Sequence, residues 1–416
     1  MRHAPEQRPR CVVVVYRLPW PPSAGGSLRD WQNIVALASR TRLSVVALDG
    51  KVPPRPPQTE LALWTSLDDE LLREPAPYDG SELVLQYDWW KNDLGFSSDY
   101  AWNPFRAAAL RRLLRRNPFD FSVIEDVIFW RYAEIARQYG PVIIDYHNAQ
   151  SRAEEEYLAF ISEDDPQERE RAGIAVQSIR RVEEMYRNVP AIVCSETEKA
   201  ALVERGFAHD GVAVIYNTVD IGAADDAVSE RREAAPKILF TGMMDYAPNA
   251  LAAIDLAEEI FPRVRTAFPA AQLWIVGMSP QPELLLIVQG KAGIFVTGRV
   301  ADTRMYFESA SVLSVSLQLG GGTRFKILEA FKYGLPVVTS PKGCEGLEVI
   351  DRDHLLIATS AADHADYIIR LLQDPSFAHR LATAGRRLVR EKYSFTTAGR
   401  QWDDCLRQFG LIASRS

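Results

Sequence analysis

Continuous apolar runs alternate with amphipathic stretches along this chain. Cys11–Tyr16 is apolar throughout, as a strand covered on both faces requires. A loop with Pro19, Pro21, Pro22, Gly25 and Gly26 follows, and Leu28, Trp31, Ile34, Val35 and Ala38 then recur at helical spacing, with Ser27 as the expected N-cap. Further strands are expected at Leu43–Leu48, Ser122–Asp126, Val142–Asp145, Ala191–Cys194 and Val212–Tyr216, and a charged helical region at Ser151–Arg187. The pattern restarts after Gly222–Pro236, a small, charged, proline-terminated segment that reads as a linker. Strands are expected at Lys237–Thr241, Leu273–Val276, Ile294–Thr297 and Val312–Leu317, with a helix at Asn249–Thr266. Strands alternating with helices predict an α/β fold in two halves, each a parallel sheet with helices on both faces.

The densest chemistry lies at Gly320–Glu329. Three glycines, Gly320, Gly321 and Gly322, precede Thr323, Arg324 and Lys326, and a helix begins. Glycines let backbone N–H groups approach an anion, and a helix N-terminus adds partial positive charge. Arg324 can offer paired donors to a phosphate and Lys326 a point charge. Glu329 lies about 7–8 Å further along the helix axis. It stands among Ile327, Leu328, Ala330 and Phe331, where a carboxylate is costly without hydrogen-bonding partners such as ribose hydroxyls. Gly334 and Pro336 end the helix, and Leu335–Thr339 reads as the next strand.

The bulk numbers exclude several classes. A chain of 416 residues suggests two or three domains. The net charge of −7 argues against nucleic-acid binding, which needs a basic surface. The four cysteines, Cys11, Cys194, Cys344 and Cys405, form no Cys-x-x-Cys pair and fit buried thiols in a reducing compartment. The apolar run at Cys11–Tyr16 is too short to span a membrane and no cleavage site follows it, so a cytoplasmic protein is expected. Phe105–Arg116 carries five arginines on an otherwise apolar helix, which packs on a sheet or touches anionic lipid at the inner membrane face. Trp89, Trp90, Tyr100 and Trp102 cluster in a loop-like stretch, as core fillers or a stacking surface.

Two further elements carry candidate chemistry. His147, in Asp145-Tyr146-His147-Asn148, follows a strand, where ligands of open α/β sheets bind, and can exchange a proton with a reacting group. Asp351-Arg352-Asp353 has the spacing of a metal-binding Asp-x-Asp but reads as the polar tip of a hairpin between Leu347–Ile350 and His354–Ala358. No Gly-x-Gly-x-x-Gly fingerprint ends a strand, which argues against a dinucleotide-dependent dehydrogenase.

In order along the chain, Phe240-Thr241-Gly242 with Asp245 and Pro248-Asn249, Ile275-Val276-Gly277, Val296-Thr297-Gly298-Arg299-Val300, Gly320–Ala330 and Gly334–Val338 resemble the nucleotide-sugar-binding half of glycosyltransferase family 4. Gly25-Gly26, His147-Asn148, Cys194-Ser195-Glu196 and Asn217–Asp220 extend the resemblance, more loosely, into the first half. It implies the GT-B fold, two Rossmann-like domains facing each other across a cleft. Residues 1–220 would form the acceptor side and 221–395 the donor domain, with 396–416 packing back on the first. It implies transfer of a sugar from a nucleotide-diphosphate donor to an acceptor hydroxyl with retention, in polysaccharide, glycolipid or natural-product biosynthesis, without a cofactor or metal. The acceptor class, whether carbohydrate, lipid-linked or small molecule, stays open.

The roles implied are diphosphate binding for Gly26, Gly242, Gly321, Gly322, Thr323, Arg324 and Lys326, ribose binding for Glu329, base binding for Gly298 and Arg299, and catalysis for His147. The chain departs from the family twice. Gly321 replaces the first of two glutamates separated by seven intervening residues, which commonly contacts the donor sugar. Met243 and Met244 follow Gly242, where the family often has an arginine and a lysine for the pyrophosphate. Arg324 and Lys326 are expected to supply that charge. Two other readings keep the fold: a nucleotide-sugar epimerase or hydrolase, and a non-catalytic nucleotide-sugar-binding scaffold.

Overall fold

The structure is a computed structural model that describes residues 8–22, 25–57, 59–73, 102–222, 235–322 and 324–413. The chain forms two compact units, Met1–Tyr216 with Ala398–Ser416, and Asn217–Thr397.

In the first unit seven strands form one parallel sheet in the order β3-β2-β1-β4-β5-β6-β7: β1 Arg10–Val15, β2 Arg42–Ala47, β3 Leu63–Ser66, β4 Phe121–Glu125, β5 Val142–Asp145, β6 Ala191–Val193 and β7 Val212–Val214. Five of the six β1 residues are buried, which is why the run lacks alternation. Val12, Val14, Val46, Ile124 and Ile144 pack with the helix faces of Leu110 and Ala133 in one core. Chain order reverses between β1 and β4, the point at which open α/β sheets form a crevice beyond their strand ends. Val14 stands opposite Ile124, so the two strands finish level and the Tyr16 amide reaches the Glu125 carboxylate.

The second unit repeats the plan with six parallel strands in the order β10-β9-β8-β11-β12-β13: β8 Lys237–Thr241, β9 Gln272–Val276, β10 Ile294–Val296, β11 Val312–Val315, β12 Val337–Thr339 and β13 Leu356–Ile357. Its order reverses between β8 and β11. The loops after these strands carry Gly242 and Gly320–Gly322.

Several sequence expectations are corrected. The helix expected at Asn249–Thr266 is three pieces, Ala247–Asp255, a π-helical turn at Leu256–Ile260, and Phe261–Ala267. Pro262 has no N–H, and the ladder widens by one residue just before it. The charged region divides into Gln150–Phe160 and Pro166–Tyr186, the second opened by Pro166 and capped by Asp165. The first helix begins at Gly25, so Ser27 lies in its first turn and is not its cap. Asp351-Arg352-Asp353 is a turn, but no strand pair flanks it. Asp351 accepts from the Ile357 amide at 2.8 Å, Arg352 takes φ 64°, and Leu356–Ile357 pairs with β12. Strand β3 was not anticipated, and β13 lies within the expected hairpin arm His354–Ala358 but pairs with β12.

The helix Phe395–Gln408 buries Trp402, whose Nε1 donates to Asn33 at 3.1 Å, and Asp403 pairs with Arg40 at 2.8 Å. Residues from Ala398 onward therefore consolidate the first unit. In the arginine-rich helix, Pro104–Arg116, Leu110, Leu113 and Leu114 are buried, and Arg106 bridges Asp49 and Asp68. No helix among the described residues is long and apolar enough to cross a membrane. Trp89, Trp90, Tyr100 and most of the expected linker lie outside the described residues.

Candidate active site

At the switch point of the second unit, three loops meet with little room for side chains. The Gly242 amide donates to Val276 O at 3.0 Å. A Cβ on Gly277 would stand 1.6 Å from Gly242 O, and one on Gly242 would stand 2.7 Å from Asn249. Gly320 has φ 103°, and a Cβ there would lie 2.8 Å from the Tyr246 hydroxyl. Only glycine lets these backbones approach so closely.

The two expected cations behave differently. Arg324 turns its guanidinium back onto its own loop, donating to Gly320 O at 2.6 Å and to Gly321 O. It thereby fixes the glycine loop ahead of the helix Phe325–Lys332, leaving Nε buried and unpaired. Lys326 crosses to the β8 side. Its Nζ donates to Asn249 Oδ1 at 2.8 Å and sits 4.2 Å from the centre of the Phe240 ring. Burial, reinforced by Arg324, lowers Lys326 to about 7. Burial also raises Glu329 to about 7, against the pull of Lys332 and Lys326. The Glu329 carboxylate accepts no hydrogen bond among the described residues, so it is available to a ligand's hydroxyls. Gly298 and Arg299 follow β10, the edge strand, where Gly298 has φ 65° and Arg299 is exposed. No hydrogen bond among the described residues joins them to the glycine loop. Gly321 and Gly322 lie in the loop clamped by Arg324, and Thr323 lies outside the described residues.

In the first unit His147 sits beyond β5, beside β4 and the first helix. Its Nε2 lies 3.5 Å from Asp30, on the helix Gly25–Ala38. Glu125 ends β4 and accepts from the Tyr16 amide at 2.5 Å. The titratable atoms of Asp30, Glu125 and His147 all lie within 4.8 Å of one another. Burial, then the charge of Asp30, pushes Glu125 well above the usual carboxylate range. Burial opposes the charge of His147, but Asp30, Asp145 and Asp126 outweigh it and raise the ring to about 10. Gly26 lies alongside, where an added Cβ would stand 3.7 Å from His147 Cε1.

A rigid frame supports this histidine. Arg29 and Asp145 form a buried ion pair at 2.6 Å, Asn33 donates to Asp145 at 2.7 Å, and Arg29 also holds Ile215 O at 2.9 Å. After His147, the Ala149 amide donates to Glu198 at 2.6 Å, and the Cys194 thiol contacts His147 O at 3.3 Å. The structure thus gathers Gly242, Gly321, Gly322, Arg324, Lys326 and Glu329 in one unit, and Gly26 with His147 in the other. Sequence reasoning missed Asn249 as the partner of Lys326, and Asp30 and Glu125 as partners of His147. The acidic pair Glu125-Asp126 at the end of a buried strand was the available signal.

Residues 235–374 match the family model described as Glycosyl transferases group 1. Among solved structures, sucrose-phosphate synthase from Thermosynechococcus elongatus aligns at TM-score 0.69 and 18% identity, covering 98% of this chain and 100% of that one. TarM of S. aureus in complex with fondaparinux, α-GlcNAc-glycerol and UDP aligns at 0.68 and 11%, covering 95% and 99%. HepE of Anabaena in complex with UDP and glucose aligns at 0.65 and 13%, covering 96% and 100%. No curated protein sequence matches the chain. The structural likeness establishes the fold, while the family match covers the strands and loops that hold Gly242, Lys326 and Glu329. Residues 235–374 thus match a glycosyl transferases group 1 domain, and the chain has the two-domain α/β GT-B fold.

Proposed function

We propose that the protein moves a hexosyl group, with retention at the anomeric carbon, from a nucleoside-diphosphate sugar held by the second unit to a hydroxyl of a carbohydrate-containing acceptor. The observation that carries this reading is Lys326. A half-buried lysine on the helix after the glycine loop reaches Asn249 at the start of the helix after β8. It brings a cation to the loop in which Met243 and Met244 stand in place of basic residues.

In this reading the diphosphate lies against Gly242, Gly321 and Gly322, charged by Lys326 and by the N-terminus of the helix Phe325–Lys332. Arg324 holds the loop in register. Glu329 takes the ribose hydroxyls, and Gly298 and Arg299 take the base. As the sugar departs, negative charge grows on the diphosphate, and prepositioned N–H groups and Lys326 stabilise it without reorganising. These groups supply charge of the kind a divalent ion would otherwise bring. His147 of the first unit serves the transfer step. Retention is supported by the resemblance to family 4, and a uridine donor by the UDP present in the HepE and TarM complexes.

The test is incubation with UDP-glucose, UDP-galactose and UDP-N-acetylglucosamine, with and without carbohydrate acceptors, following UDP and the anomeric configuration of any product. Acceptor-dependent release of UDP with an α-linked product supports the proposal. A β-linked product removes retention. Release without acceptor favours a hydrolase, and binding without release favours a scaffold.

A further inference from the structure

The proposed reading leaves the chemical form of His147 open, and the residues packed around it bear on that question. Its two ring nitrogens lie in different surroundings. Nε2 is buried, 3.5 Å from Asp30, and makes no hydrogen bond of its own. Nδ1 lies on the Gly26 side, where an added Cβ would stand 3.8 Å away, and no protein group among the described residues bonds it. Asp30 is itself buried, with 6% of its side chain exposed. The helix carrying it is fixed one residue earlier, where Arg29 holds Asp145, so Asp30 has little freedom to leave the ring.

We propose that Asp30 is the positioning residue for His147: it engages Nε2 and leaves Nδ1–H facing the Gly26 side as a fixed hydrogen-bond donor to a substrate oxygen. His147 then works by donating and by its charge, and not by taking a proton from the acceptor. The inference rests on the transferase reading for its role, but not for its geometry.

Charge balance around the ring agrees. The groups facing it are Asp30 from the first helix, Glu125 and Asp126 from the end of β4, and Asp145 from β5, which is neutralised by Arg29. Two carboxyl groups as close as Asp30 and Glu125 cannot both ionise cheaply in a buried place. Burial and the charge of Asp30 push Glu125 upward, which leaves Asp30, 3.5 Å from Nε2, as the natural partner of an imidazolium. A ring held near 10 has no vacant nitrogen with which to act as a base at neutral pH. Its Nδ1–H meets an oxygen lone pair in a partly desolvated place, where a charge-assisted hydrogen bond is strongest.

The experiment is a pH titration of the full chain labelled with ¹⁵N-histidine, reading the ring nitrogen shifts. The chain has six histidines, and His147 is identified by the signal missing in His147→Gln. The expected result is that both ring nitrogens stay protonated from pH 6 to pH 9. In Asp30→Asn the ring should lose its proton at least two pH units lower, and Asp30→Glu should restore most of that loss. Glu125→Gln should leave the ring charged, because Asp30 remains beside Nε2. A neutral ring at pH 7 in the unsubstituted protein overturns the proposal, even if the Asp30 variants fail to fold. So does a titration unchanged in Asp30→Asn, or ring shifts to metal-bound values on adding Zn²⁺. Nucleotide-sugar turnover by the unsubstituted protein is measured in parallel. A charged His147 in a protein that consumes no donor removes the transferase reading and leaves the pairing standing.

Discussion

Lys326 donates to Asn249 Oδ1 at 2.8 Å, and the same asparagine donates through Nδ2 to Met243 O at 2.9 Å. One side chain therefore ties the cation of the helix Phe325–Lys332 to the backbone of the loop after β8. A charged hydrogen bond to a phosphate contributes roughly 1.5–3 kcal/mol. Lys326→Ala should accordingly weaken UDP binding by about 10- to 100-fold. Asn249→Ala should weaken it less, because the ammonium remains but is no longer aimed. Calorimetric titration with UDP is the measurement, and an unchanged Kd for Lys326→Ala removes the lysine from the site.

The same lysine should make nucleotide binding pH-dependent. Its value in the fold, about 7, lies below the ordinary 10.5, so the empty site holds it partly neutral near pH 7. A diphosphate requires the charged form. Affinity should then fall as pH rises above 7, with a limiting slope near tenfold per pH unit. Arginine stays charged throughout this range, so Lys326→Arg should flatten the profile even where it weakens binding. A profile of equal slope in both proteins would assign the dependence to another group.

Glu329 makes the stability of the empty protein pH-dependent. Its value in the fold, about 7, is raised above the ordinary 4.5. The favourable contribution of its proton is complete below about 4.5 and is lost as pH rises toward 7. Above pH 7 the protein therefore carries an ionised carboxylate in a desolvated place, at a cost on the order of 3 kcal/mol. Glu329→Gln should raise the thermal midpoint at pH 8 and change it little at pH 5, while weakening nucleotide binding through the lost ribose contact. A midpoint unchanged at pH 8 would mean that Glu329 is well solvated.

The sequence makes the strands that build both sites legible, because each is a short apolar run covered on both faces. Val142–Asp145 and Lys237–Thr241 have the expected bounds. Strand β3 sits at a sheet edge with four residues, too short for a periodicity to register, and β13 was legible as an extended stretch but not in its pairing with β12. The glycine loop was legible as a phosphate cradle because glycine clusters and helix starts are local features. The direction of Arg324 was not. Its donors turn to Gly320 and Gly321 four and three residues back, a choice set by the fold of the loop. Asp30 and His147 are 117 residues apart, and only the reversal of strand order between β1 and β4 brings them together.

Gly277 tests how tightly the second unit's loops must meet. An alanine Cβ would overlap Gly242 O at 1.6 Å, and both partners are backbone, so neither can swing aside. Overpacking of this kind costs about 3 kcal/mol or more. Gly277→Ala should lower the thermal midpoint of the second unit by roughly 5–10 °C. Gly26→Ala is the contrast, since its Cβ would stand at ordinary contact distance from His147 and should leave the midpoint nearly unchanged. Equal midpoints for both variants would show that the loop after β9 can move aside.

Asp145 links the fold of the first unit to its chemistry. It accepts from Arg29 and Asn33, and Asn33 in turn accepts from Trp402, so one carboxylate joins β5, the first helix and the C-terminal helix. Both members of the ion pair are almost wholly buried. Replacing only the acid leaves the guanidinium buried without its counter-charge, a change that costs about 3–5 kcal/mol where one partner of a buried pair is removed. Asp145→Asn should therefore lower the denaturant midpoint of the first unit sharply. Replacing both partners, Arg29→Met with Asp145→Asn, should be less damaging than the single change, because the uncompensated charge is gone. That order separates a charge effect from a packing effect, since packing alone would make the double variant the worse of the two. Nucleotide affinity, which belongs to the second unit, should be the same in all three proteins.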